Sequence, residues 1–243
     1  MAPEYSGPAA DPAPYYTRVN RPLLDLLPPG LAAVLDVGCG AGALGRAYRE
    51  RHPHSAWTGI EVHPEAAAEA RRHLAHVVEA DAESIDAATV PGGPFDALVY
   101  ADSLEHFRDP DTALGRHLRL LRPGGVVCAS IPNVQHWSAI LNLVAGRWEY
   151  RDEGLFDRTH LRFFTLDSLV AFFRTAGCAV EEVVPLIPRP GVPAISGWDR
   201  HEALLAELER LTASFGLPFD RRRFLAYQYV VRARVLPTGR GRW

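Results

Sequence analysis

Acidic and imidazole side chains occur in this sequence where apolar runs end or shortly after them, a place typical of binding and catalytic residues. They are Asp36, Asp102, Glu105, His106, His136 and His160. Carboxylates bind cations and hydrogen-bond donors, and histidine exchanges protons near neutral pH. These residue types together indicate a site that holds a polar or cationic small molecule and transfers a proton.

Each of the three histidines also has a structural interpretation, and both interpretations stay open. His106 can orient the loop that follows Asp102, and His136 can pack against the neighbouring Trp137. His160 lies in the stretch FDRTHLRFF, where it can join a hydrogen-bond network that holds an irregular segment. The other seven histidines lie in sequences typical of exposed helices or short linkers, and we do not expect them to take part.

A glycine-rich stretch, VLDVGCGAGALG at residues 34–45, surrounds the first of the acidic residues. A glycine loop between a strand and a helix lets a ligand approach the backbone and the helix N-terminus. Gly38, Gly40 and Ala43 satisfy the loose pattern of a dinucleotide site. The carboxylate of Asp36, however, would repel a pyrophosphate and attract a cation, so it favours a cationic ligand. A turn that binds no ligand is the structural alternative.

Alternating strand and helix patterns position these residues. Strands are predicted at AAVLDVG, AWTGIEV, HVVEAD, FDALVYAD and VVCASIPN, with helices between most of them. The helix DTALGRHLRLLRPGG is predicted to stop at Gly124 and Gly125. Further along come a helix at TLDSLVAFFRTAG and strands at CAVEEVVPLI and LAYQYVVRARVL. This order predicts an α/β fold with a mostly parallel sheet and helices on both faces.

The length of 243 residues suits one hydrophobic core. We predict a single domain over residues 15–243, preceded by a proline-rich, flexible tail at residues 1–14. Two long segments, residues 134–164 and 188–224, interrupt the alternation of strands and helices. Long excursions inside a compact domain usually form lids or binding loops, so we expect these two to cover the substrate side of the site.

Composition argues against several classes of protein. The net charge of −3 gives no broad positive field, so neither nucleic acid nor a membrane surface is a predicted partner. No run of 18 apolar residues predicts a membrane span, and the N-terminus lacks the features of a signal peptide. The cysteines Cys39, Cys128 and Cys178 are predicted to be buried free thiols, so we expect a cytoplasmic protein. The oligomeric state is not predicted.

The glycine stretch resembles the first motif of class I S-adenosylmethionine-dependent methyltransferases, and further matches follow in order. Glu61 ends the second strand, ADAES follows the third, YADSLEHFRDP covers the end of the fourth, and LRPGGVVCASIPN contains the fifth. The resemblance implies a Rossmann-like, doubly wound sheet of seven strands whose last strand, LAYQYVVRARVL, is antiparallel. It also implies S-adenosylmethionine as the cofactor, whose cationic groups suit Asp36.

The same resemblance assigns cofactor contacts to individual positions. Glu61 would bind the ribose hydroxyls, Val62 would pack on the adenine, and Asp81, beside Ala82, would reach the adenine amino group. The full set that we predict to bind the cofactor is Tyr16, Arg21, Asp36, Gly38, Cys39, Gly40, Glu61, Val62, Asp81, Ala82 and Asp102.

Tyr16 and Arg21 belong to this set because a short helix is predicted in YYTRVNRPLLDLLPP, before the first strand, and it would lie across the amino-acid end of the cofactor. Arg21 can pair there with the cofactor carboxylate in bidentate fashion, and Arg18 competes for that role. An Arg21 that faces solvent and does not touch the cofactor is an alternative of equal weight.

A narrower similarity covers residues 100–175, through DSLEHFRDP and SIPNVQHWSAILNLVAGRWEYRDEGLFDRTHLRFFT. These stretches resemble a bacterial subgroup related to the ubiquinone-pathway O-methyltransferases, whose members often accompany glycan or secondary-metabolite synthesis. The similarity implies methylation of a hydroxyl on a sugar, phenol or other small metabolite. N-methylation of a small amine, a nicotinamide-dependent oxidoreductase and a non-catalytic binding protein remain alternatives.

Methylation of a hydroxyl requires a base that takes the proton of the acceptor. We predict His136 as this base, with His106 and His160 as further catalytic candidates. No metal is predicted. The alternative is a divalent cation on Asp102, Glu105, His106 and His136, since a similar arrangement occurs in metal-dependent small-RNA 2′-O-methyltransferases and in part of the ubiquinone-pathway group. Those enzymes have glutamate where this chain has the shorter Asp102, which puts the ligand set in doubt.

Overall fold

A seven-stranded sheet forms the centre of the protein, whose computed structural model describes residues 18–188 and 201–237. The strands are β1 (Ala33–Val37), β2 (Ala56–Glu61), β3 (His76–Glu79), β4 (Phe95–Ala101), β5 (Leu121–Pro132), β6 (Cys178–Leu186) and β7 (Gln228–Val235). Their order across the sheet is β3-β2-β1-β4-β5-β7-β6. The pairs from β3 to β5 are parallel, and β7 is antiparallel to both of its neighbours. The predicted Rossmann-like sheet with an antiparallel last strand is therefore confirmed.

Helices link the strands and cover the sheet. They are α1 (Arg21–Leu26), α2 (Ala43–Arg51), α3 (Pro64–Ala70), α4 (Pro110–Leu118), α5 (Trp137–Val144), α6 (Leu166–Thr175), α7 (His201–Ser214) and α8 (Arg221–Leu225), with short 3₁₀ turns at Ala87–Thr89 and Leu104–His106. Side-chain caps fix several of the starting points. Asp109 accepts a hydrogen bond from Thr112 N before α4, and Thr165 and Ser168 form a capping box at α6.

Apolar residues on both faces of the central strands hold the helices in place. Leu98 and Tyr100 of β4 belong to one buried cluster, and Ala97 and Val99 belong to the other. Successive side chains of a strand point to opposite faces, so this alternation places one cluster on each side of the sheet. All five residues of β1 are buried, as expected for a strand in the middle of a parallel sheet.

The helix before β5 is shorter than predicted. α4 ends at Leu118, and β5 already begins at Leu121, which pairs with Phe95 of β4. Phe95 N donates to Leu120 O at 2.9 Å, and the leucines at this point pack on the sheet core. The pairing resumes at Val126 after a register shift. Gly124 and Gly125 therefore lie in an irregular part of a strand, and their prediction as a helix stop was wrong.

The first of the two excursions contains a helix that the sequence did not reveal. α5 begins just after His136 and is followed by irregular backbone up to Phe164. The predicted flexible tail and the proline-rich part of the second excursion lie outside the described residues, whereas the helix predicted in that excursion is present as α7.

The three cysteines, Cys39, Cys128 and Cys178, are buried and free, as predicted. Within residues 18–188 and 201–237, no helix combines the length and the apolar character that crossing a membrane requires.

Two glycines inside helices offer a matched test of this packing. A Cβ at Gly45 of α2 would lie 2.6 Å from Leu74 Cδ2 and 2.8 Å from Trp57 Cε3, whereas at Gly115 of α4 it would meet no described atom within 4 Å. We expect Gly45→Ala to lower the free energy of unfolding by about 1–3 kcal/mol through overpacking. Gly115→Ala should raise it by about 0.5–1 kcal/mol, because alanine is the better helix former. Urea denaturation followed by circular dichroism measures both changes, and effects of the same sign would contradict the packing.

Candidate active site

The glycine loop between β1 and α2 adopts backbone conformations that favour glycine. Gly38 and Gly40 have φ angles of +76° and +53°. Gly38 N and Cys39 N donate to Ile60 O at 2.8 and 3.1 Å, which ties the loop to the end of β2. A Cβ at Gly38 would lie only 2.9 Å from Ser103 Cβ, so the loop also packs on the segment after β4. The carboxyl ends of three parallel strands therefore meet here, where open α/β sheets bind their ligands.

Asp36, near the end of β1, is a buried carboxyl group that is only 1% exposed. Neither of its side-chain oxygens has a hydrogen-bond partner among the residues that the structure describes. Burial, together with the nearby Glu61, raises the pKa of the Asp36 carboxyl to about 7. A buried carboxylate without partners is destabilised until a cation or a hydrogen-bond donor meets it. Asp36 therefore suits a ligand that brings such a group to the end of β1.

Glu61, the last residue of β2, is also buried, but its carboxylate is partnered. Its Oε2 accepts from Gly40 N at 2.8 Å and its Oε1 accepts from His63 N at 2.9 Å. Each carboxylate oxygen has a second lone-pair site, so these bonds leave capacity for ligand hydroxyls. Val62 beside it is 56% exposed and offers an apolar surface at the strand end.

The segment after β3 presents one exposed and one buried residue. Asp81 is exposed, and its Oδ1 accepts from Glu83 N at 2.9 Å, which fixes a tight turn. Ala82 is buried against the sheet, and its carbonyl oxygen lies 3.0 Å from His117 Nε2.

Asp102, which follows β4, has an unusual backbone conformation that contacts from distant parts of the chain support. Its φ angle is +54°, a conformation that costs a non-glycine residue about 1 kcal/mol or more. Asn20 Nδ2 donates to its Oδ2 at 3.0 Å, Gln228 Nε2 donates to its Oδ1, and its own backbone N donates to Ser130 Oγ at 3.0 Å. Burial raises the pKa of the Asp102 carboxyl to about 6, although the bonds from Asn20 and Ser130 oppose this rise.

Glu105, His106 and His160 form a cluster beside this strand end. One potential ligand atom from each lies within 4.8 Å of the others. Glu105 is 1% exposed, and neither of its carboxyl oxygens has a hydrogen-bond partner within the described ranges. Burial, with smaller contributions from Asp102 and Asp157, raises the pKa of Glu105 well above its ordinary range. Burial lowers the pKa values of His106 and His160, so all three side chains are disposed to be neutral.

The first excursion contributes to this cluster directly. Leu161 N and Arg162 N both donate to Glu105 O, at 2.8 and 3.0 Å. The rings of His106 and His160 meet edge to face, with centroids 4.9 Å apart. The excursion is thus fixed against the 3₁₀ turn that follows β4.

A family model for a methyltransferase domain matches residues 14–183, well over half of the chain. The chain belongs to this methyltransferase family. The ubiquinone biosynthesis O-methyltransferase of Pseudomonas paraeruginosa is 36% identical over 169 residues, which cover 66% of this chain and 71% of that protein. The protein of the same name from Xanthomonas axonopodis pv. citri is 34% identical over 170 residues, covering 68% and 70%.

Solved structures agree with the fold of this methyltransferase. The crystal structure of an SAM-dependent methyltransferase from Archaeoglobus fulgidus has a TM-score of 0.55 at 16% sequence identity, and the match covers 91% of this chain and 89% of that one. At such low identity the likeness shows the fold alone.

S-adenosylmethionine is the cofactor of this methyltransferase, and the residues at the carboxyl edge fit it. The orphaned carboxyl of Asp36 suits a cationic group, and the exposed Val62 suits a flat apolar ring. The glycine loop leaves room for close approach to the backbone. The dinucleotide pattern in the same loop was therefore misleading, because it reports the shape of the turn and not the charge of the ligand.

His136, the predicted base, is packed inside the protein. It is 0% exposed, its Nδ1 lies 2.8 Å from Ser138 Oγ, and its ring is 5.3 Å from that of Tyr227. Burial, with the nearby His201, lowers the pKa of His136 to about 4. Its catalytic role remains a prediction.

The histidine-containing cluster differs from the predicted metal set of Asp102, Glu105, His106 and His136. In the part of the chain that the structure describes, Glu105 and His106 group with His160, and neither Asp102 nor His136 belongs to this group. The reason is that the excursion folds back, which brings His160 over the 3₁₀ turn while His136 is buried at the start of α5.

The N-terminal segment reaches the site through a residue that was not predicted. Asn20 contacts Asp102, whereas Arg18 and Arg21 are exposed, and Tyr16 lies outside the described residues. Asn20 also caps α1, because its side chain accepts from Leu23 N. An asparagine just before a proline-containing helix start is a sequence signal for the cap but not for the contact with Asp102.

His117 of α4 was wrongly grouped with the exposed histidines, since it is only 1% exposed. The carbonyl of Ala82 can only accept, so His117 Nε2 donates to it, and Nδ1 then accepts from Tyr100 OH at 2.8 Å. Burial lowers the pKa of His117 to about 4, so the ring is neutral at pH 7. Its spacing after Ala113 and Leu114, which are buried on the same helix face, is the signal that could have revealed it.

The pKa of Asp36 predicts a trade-off between stability and cofactor binding. The folded-state pKa of Asp36, about 7, lies above the ordinary value of 3.8. Below about pH 4 Asp36 is therefore neutral in both states and costs no stability, and the free energy of unfolding falls as the pH rises through 7. We expect Asp36→Asn to raise the free energy of unfolding at pH 8 by about 2–4 kcal/mol and the gain to shrink towards pH 4. The same variant should bind S-adenosylhomocysteine about tenfold more weakly or worse.

Denaturant titrations at both pH values and isothermal titration calorimetry at pH 8 measure these changes. Asp25→Asn is the control, because Asp25 is an exposed carboxylate in a surface ion pair and should alter neither quantity appreciably. An Asp36→Asn variant with wild-type stability at pH 8 and wild-type affinity would contradict the assignment.

Proposed function

We propose that this methyltransferase methylates a hydroxyl group of a small acceptor, such as a sugar, a phenol or another metabolite. The observation that carries the proposal is the cluster of Glu105, His106 and His160. It lies just after β4, and the same segment touches the glycine loop through Ser103. A hydroxyl, unlike a neutral amine, must lose a proton to a base as it reacts, and this cluster offers two imidazoles for that step.

The chain binds the cofactor, in this proposal, at the carboxyl ends of β1, β2 and β4. Asp36 meets a cationic group at the amino-acid end, Glu61 takes the ribose hydroxyls, and Asp81 takes the adenine amino group. The remaining predicted contacts, from Tyr16, Arg21, Gly38, Cys39, Gly40, Val62, Ala82 and Asp102, complete this set. When bound, S-adenosylmethionine supplies an activated methyl group.

The electrostatics of the cluster suit an uncharged acceptor. The lowered pKa values of His106 and His160 leave each ring neutral at pH 7, with one nitrogen able to accept a proton. The raised pKa of Glu105 favours the protonated form of its carboxyl, which can donate a hydrogen bond to the acceptor. These residues therefore orient a neutral hydroxyl and take its proton without a charge on the three cluster side chains themselves.

Among the three predicted histidines, we propose His106 or His160 as the base rather than His136. His136 is fully buried and its lowered pKa of about 4 makes it a weak base, whereas His106 is only partly buried. We keep His136 as the third candidate.

Both relatives described above are named O-methyltransferases, which supports transfer to oxygen. The acceptor side would be formed by residues 134–164 and 188–224, and the family similarity points to glycan or secondary-metabolite synthesis. The three free cysteines support a cytoplasmic location, because that compartment keeps thiols reduced. Nucleic acid and membranes are not proposed as partners.

An acceptor screen with histidine variants tests the proposal. Methyl-labelled S-adenosylmethionine is offered with catechol, methyl glucoside and benzylamine as the phenol, sugar and amine probes. We expect label in an oxygen acceptor, and we expect His106→Ala or His160→Ala to lower kcat about 10²–10⁴-fold with cofactor affinity retained. His136→Ala should cost much less. Label in the amine alone, or a large loss confined to His136→Ala, would contradict the proposed chemistry.

A metal-assisted reaction is a second candidate, favoured by the same cluster. A carboxylate oxygen and two imidazole nitrogens are suitable ligands for a divalent cation, which would lower the pKa of a bound hydroxyl. Glu105 would have to be deprotonated in that case. The two buried, unpartnered oxygens of Glu105 are compatible with this role.

Chelation separates the two candidates. We expect the methylation rate to be the same in EDTA as in buffer with added Mg²⁺, because neutral imidazole bases need no cation. A rate that falls in EDTA and recovers with Mg²⁺ or Mn²⁺ would instead establish the metal-assisted reaction. Cofactor affinity measured under both conditions controls for unfolding.

A further inference from the structure

We propose that Asp157 and Thr159 are positioning residues that hold His106 in one tautomer, with its hydrogen on Nδ1 and its free lone pair on Nε2. The inference rests on the proposed function, because it names the atom that receives the proton of the acceptor. It concerns two residues of the excursion that touch no predicted cofactor contact and to which no role has yet been given.

The first step is the direction of the Thr159 hydroxyl. Thr159 Oγ1 donates to Asp157 Oδ1 at 2.6 Å, and Thr159 N donates to the same oxygen at 2.8 Å. A hydroxyl has a single hydrogen, and a carboxylate oxygen can only accept. Thr159 Oγ1 therefore has no hydrogen left for its other neighbour, His106 Nδ1, which lies 3.0 Å away. Towards His106 this hydroxyl oxygen acts as an acceptor.

The second step is independent of the hydroxyl. The backbone carbonyl oxygen of Thr159 lies 3.2 Å from His106 Nδ1. A carbonyl oxygen can only accept, so this contact also requires a hydrogen on Nδ1. Two acceptors on one residue thus share the Nδ1 hydrogen. In a neutral imidazole only one nitrogen carries hydrogen, so Nε2 keeps its lone pair.

The third step concerns the place of Nε2. Thr159 occupies Nδ1, so Nε2 is the nitrogen that remains for a reactant on the other side of the ring. A ring nitrogen of His106 lies in the cluster with Glu105 and His160, and the excursion is fixed there by the bonds of Leu161 N and Arg162 N to Glu105 O. Thr159 thus orients the histidine from its Nδ1 side, and Nε2 is the nitrogen left for the reaction. Carboxylate groups orient catalytic histidines in the same way in hydrolases, although here a hydroxyl lies between the carboxylate and the ring.

This arrangement accounts for the proton of the acceptor. A bound S-adenosylmethionine would supply the methyl group to the acceptor oxygen and would keep the electron pair of its C–S bond on sulfur, while His106 Nε2 would take the hydroxyl proton. The resulting imidazolium donates from Nδ1 to Thr159, whose hydroxyl is polarised by the Asp157 carboxylate. Asp157 is itself buried, whereas Thr159 is exposed at the surface.

Nitrogen NMR of the full-length, ¹⁵N-labelled protein tests the tautomer directly. Long-range ¹H–¹⁵N spectra are recorded at pH 8 in EDTA without any acceptor, and the signals of His106 are identified by their loss in His106→Gln. In the wild-type protein we expect a protonated Nδ1 and an unprotonated Nε2 for this ring. A His106 that carries its hydrogen mainly on Nε2 would overturn the proposal without any variant.

Variants at the two positioning residues provide graded changes. Asp157→Ala frees the Thr159 hydroxyl to donate to Nδ1, so the population with hydrogen on Nε2 should grow from undetected to comparable with the other form. Thr159→Val removes the hydroxyl but keeps the carbonyl, so the shift of the His106 hydrogen towards Nε2 should be smaller. Thr159→Ser keeps the hydroxyl and should give the wild-type spectrum. Arg158→Ala is the matched control, because the side chain of Arg158 pairs with Asp152 at the surface.

A purely structural role of Asp157 and Thr159 would lower thermal stability in these variants but leave the His106 tautomer unchanged, and that outcome would refute the proposal. S-adenosylhomocysteine affinity verifies that each variant is folded. The measurement needs no acceptor, so it fails or succeeds separately from the acceptor screen. If the NMR spectra confirm the His106 tautomer but the acceptor screen finds no methylated hydroxyl, the positioning role of Asp157 and Thr159 stands and only the proposed O-methylation is rejected.

Discussion

Burial of carboxyl groups with too few partners is the constraint on which the site depends. Asp36 and Glu105 lie at the carboxyl ends of neighbouring strands, and none of their side-chain oxygens has a partner in the described parts of the chain. An isolated polar group in such a place costs roughly 1–3 kcal/mol, and more when it is charged. The apolar clusters on both faces of the sheet offset this cost, since Leu98 of one cluster and Val99 of the other are completely buried. The stability of the apolar core thus compensates for two buried acids that would otherwise be unfavourable.

Asp102 shows how the same edge depends on distant parts of the chain. Its left-handed backbone conformation is supported by Asn20 before α1, by Ser130 in β5 and by Gln228 in β7. These residues come from the beginning, the middle and the end of the described chain, and they meet because β7 inserts between β5 and β6. The antiparallel last strand therefore does more than complete the sheet, because it brings a hydrogen-bond donor to a strained residue beside the cofactor loop.

The sequence revealed those features whose cause is local. The strand and helix alternation, the glycine turn after Asp36 and the burial of the cysteines all follow from composition and spacing over a few residues. The contacts of Asn20, Gln228 and Thr159 were not predicted, because they join residues far apart in the chain. α5 was missed although its own sequence, WSAILNLV, is apolar and amphipathic, because the aromatic and polar residues that follow it made the whole of residues 134–164 look irregular. His117 was missed for a different reason. Its helix resembled an exposed one, although Ala113 and Leu114 mark a buried face that includes His117.

The cofactor half and the proposed acceptor half of the site impose opposite electrostatic demands, and their key acids lie apart, with Asp36 on β1 and Glu105 just after β4. On the cofactor side, the pKa of Asp36 near 7 means that a cationic ligand can shift this group to its ionised form with a modest expenditure of binding energy. On the acceptor side, the raised pKa of Glu105 and the lowered pKa values of the two imidazoles keep the cluster neutral. A charge on Glu105 would raise the pKa values of both rings and favour their protonated forms, which cannot accept a proton. The burial of Glu105 therefore favours unprotonated imidazoles that can accept a proton, and the tendency of Glu105 to hold its own proton follows from the same burial.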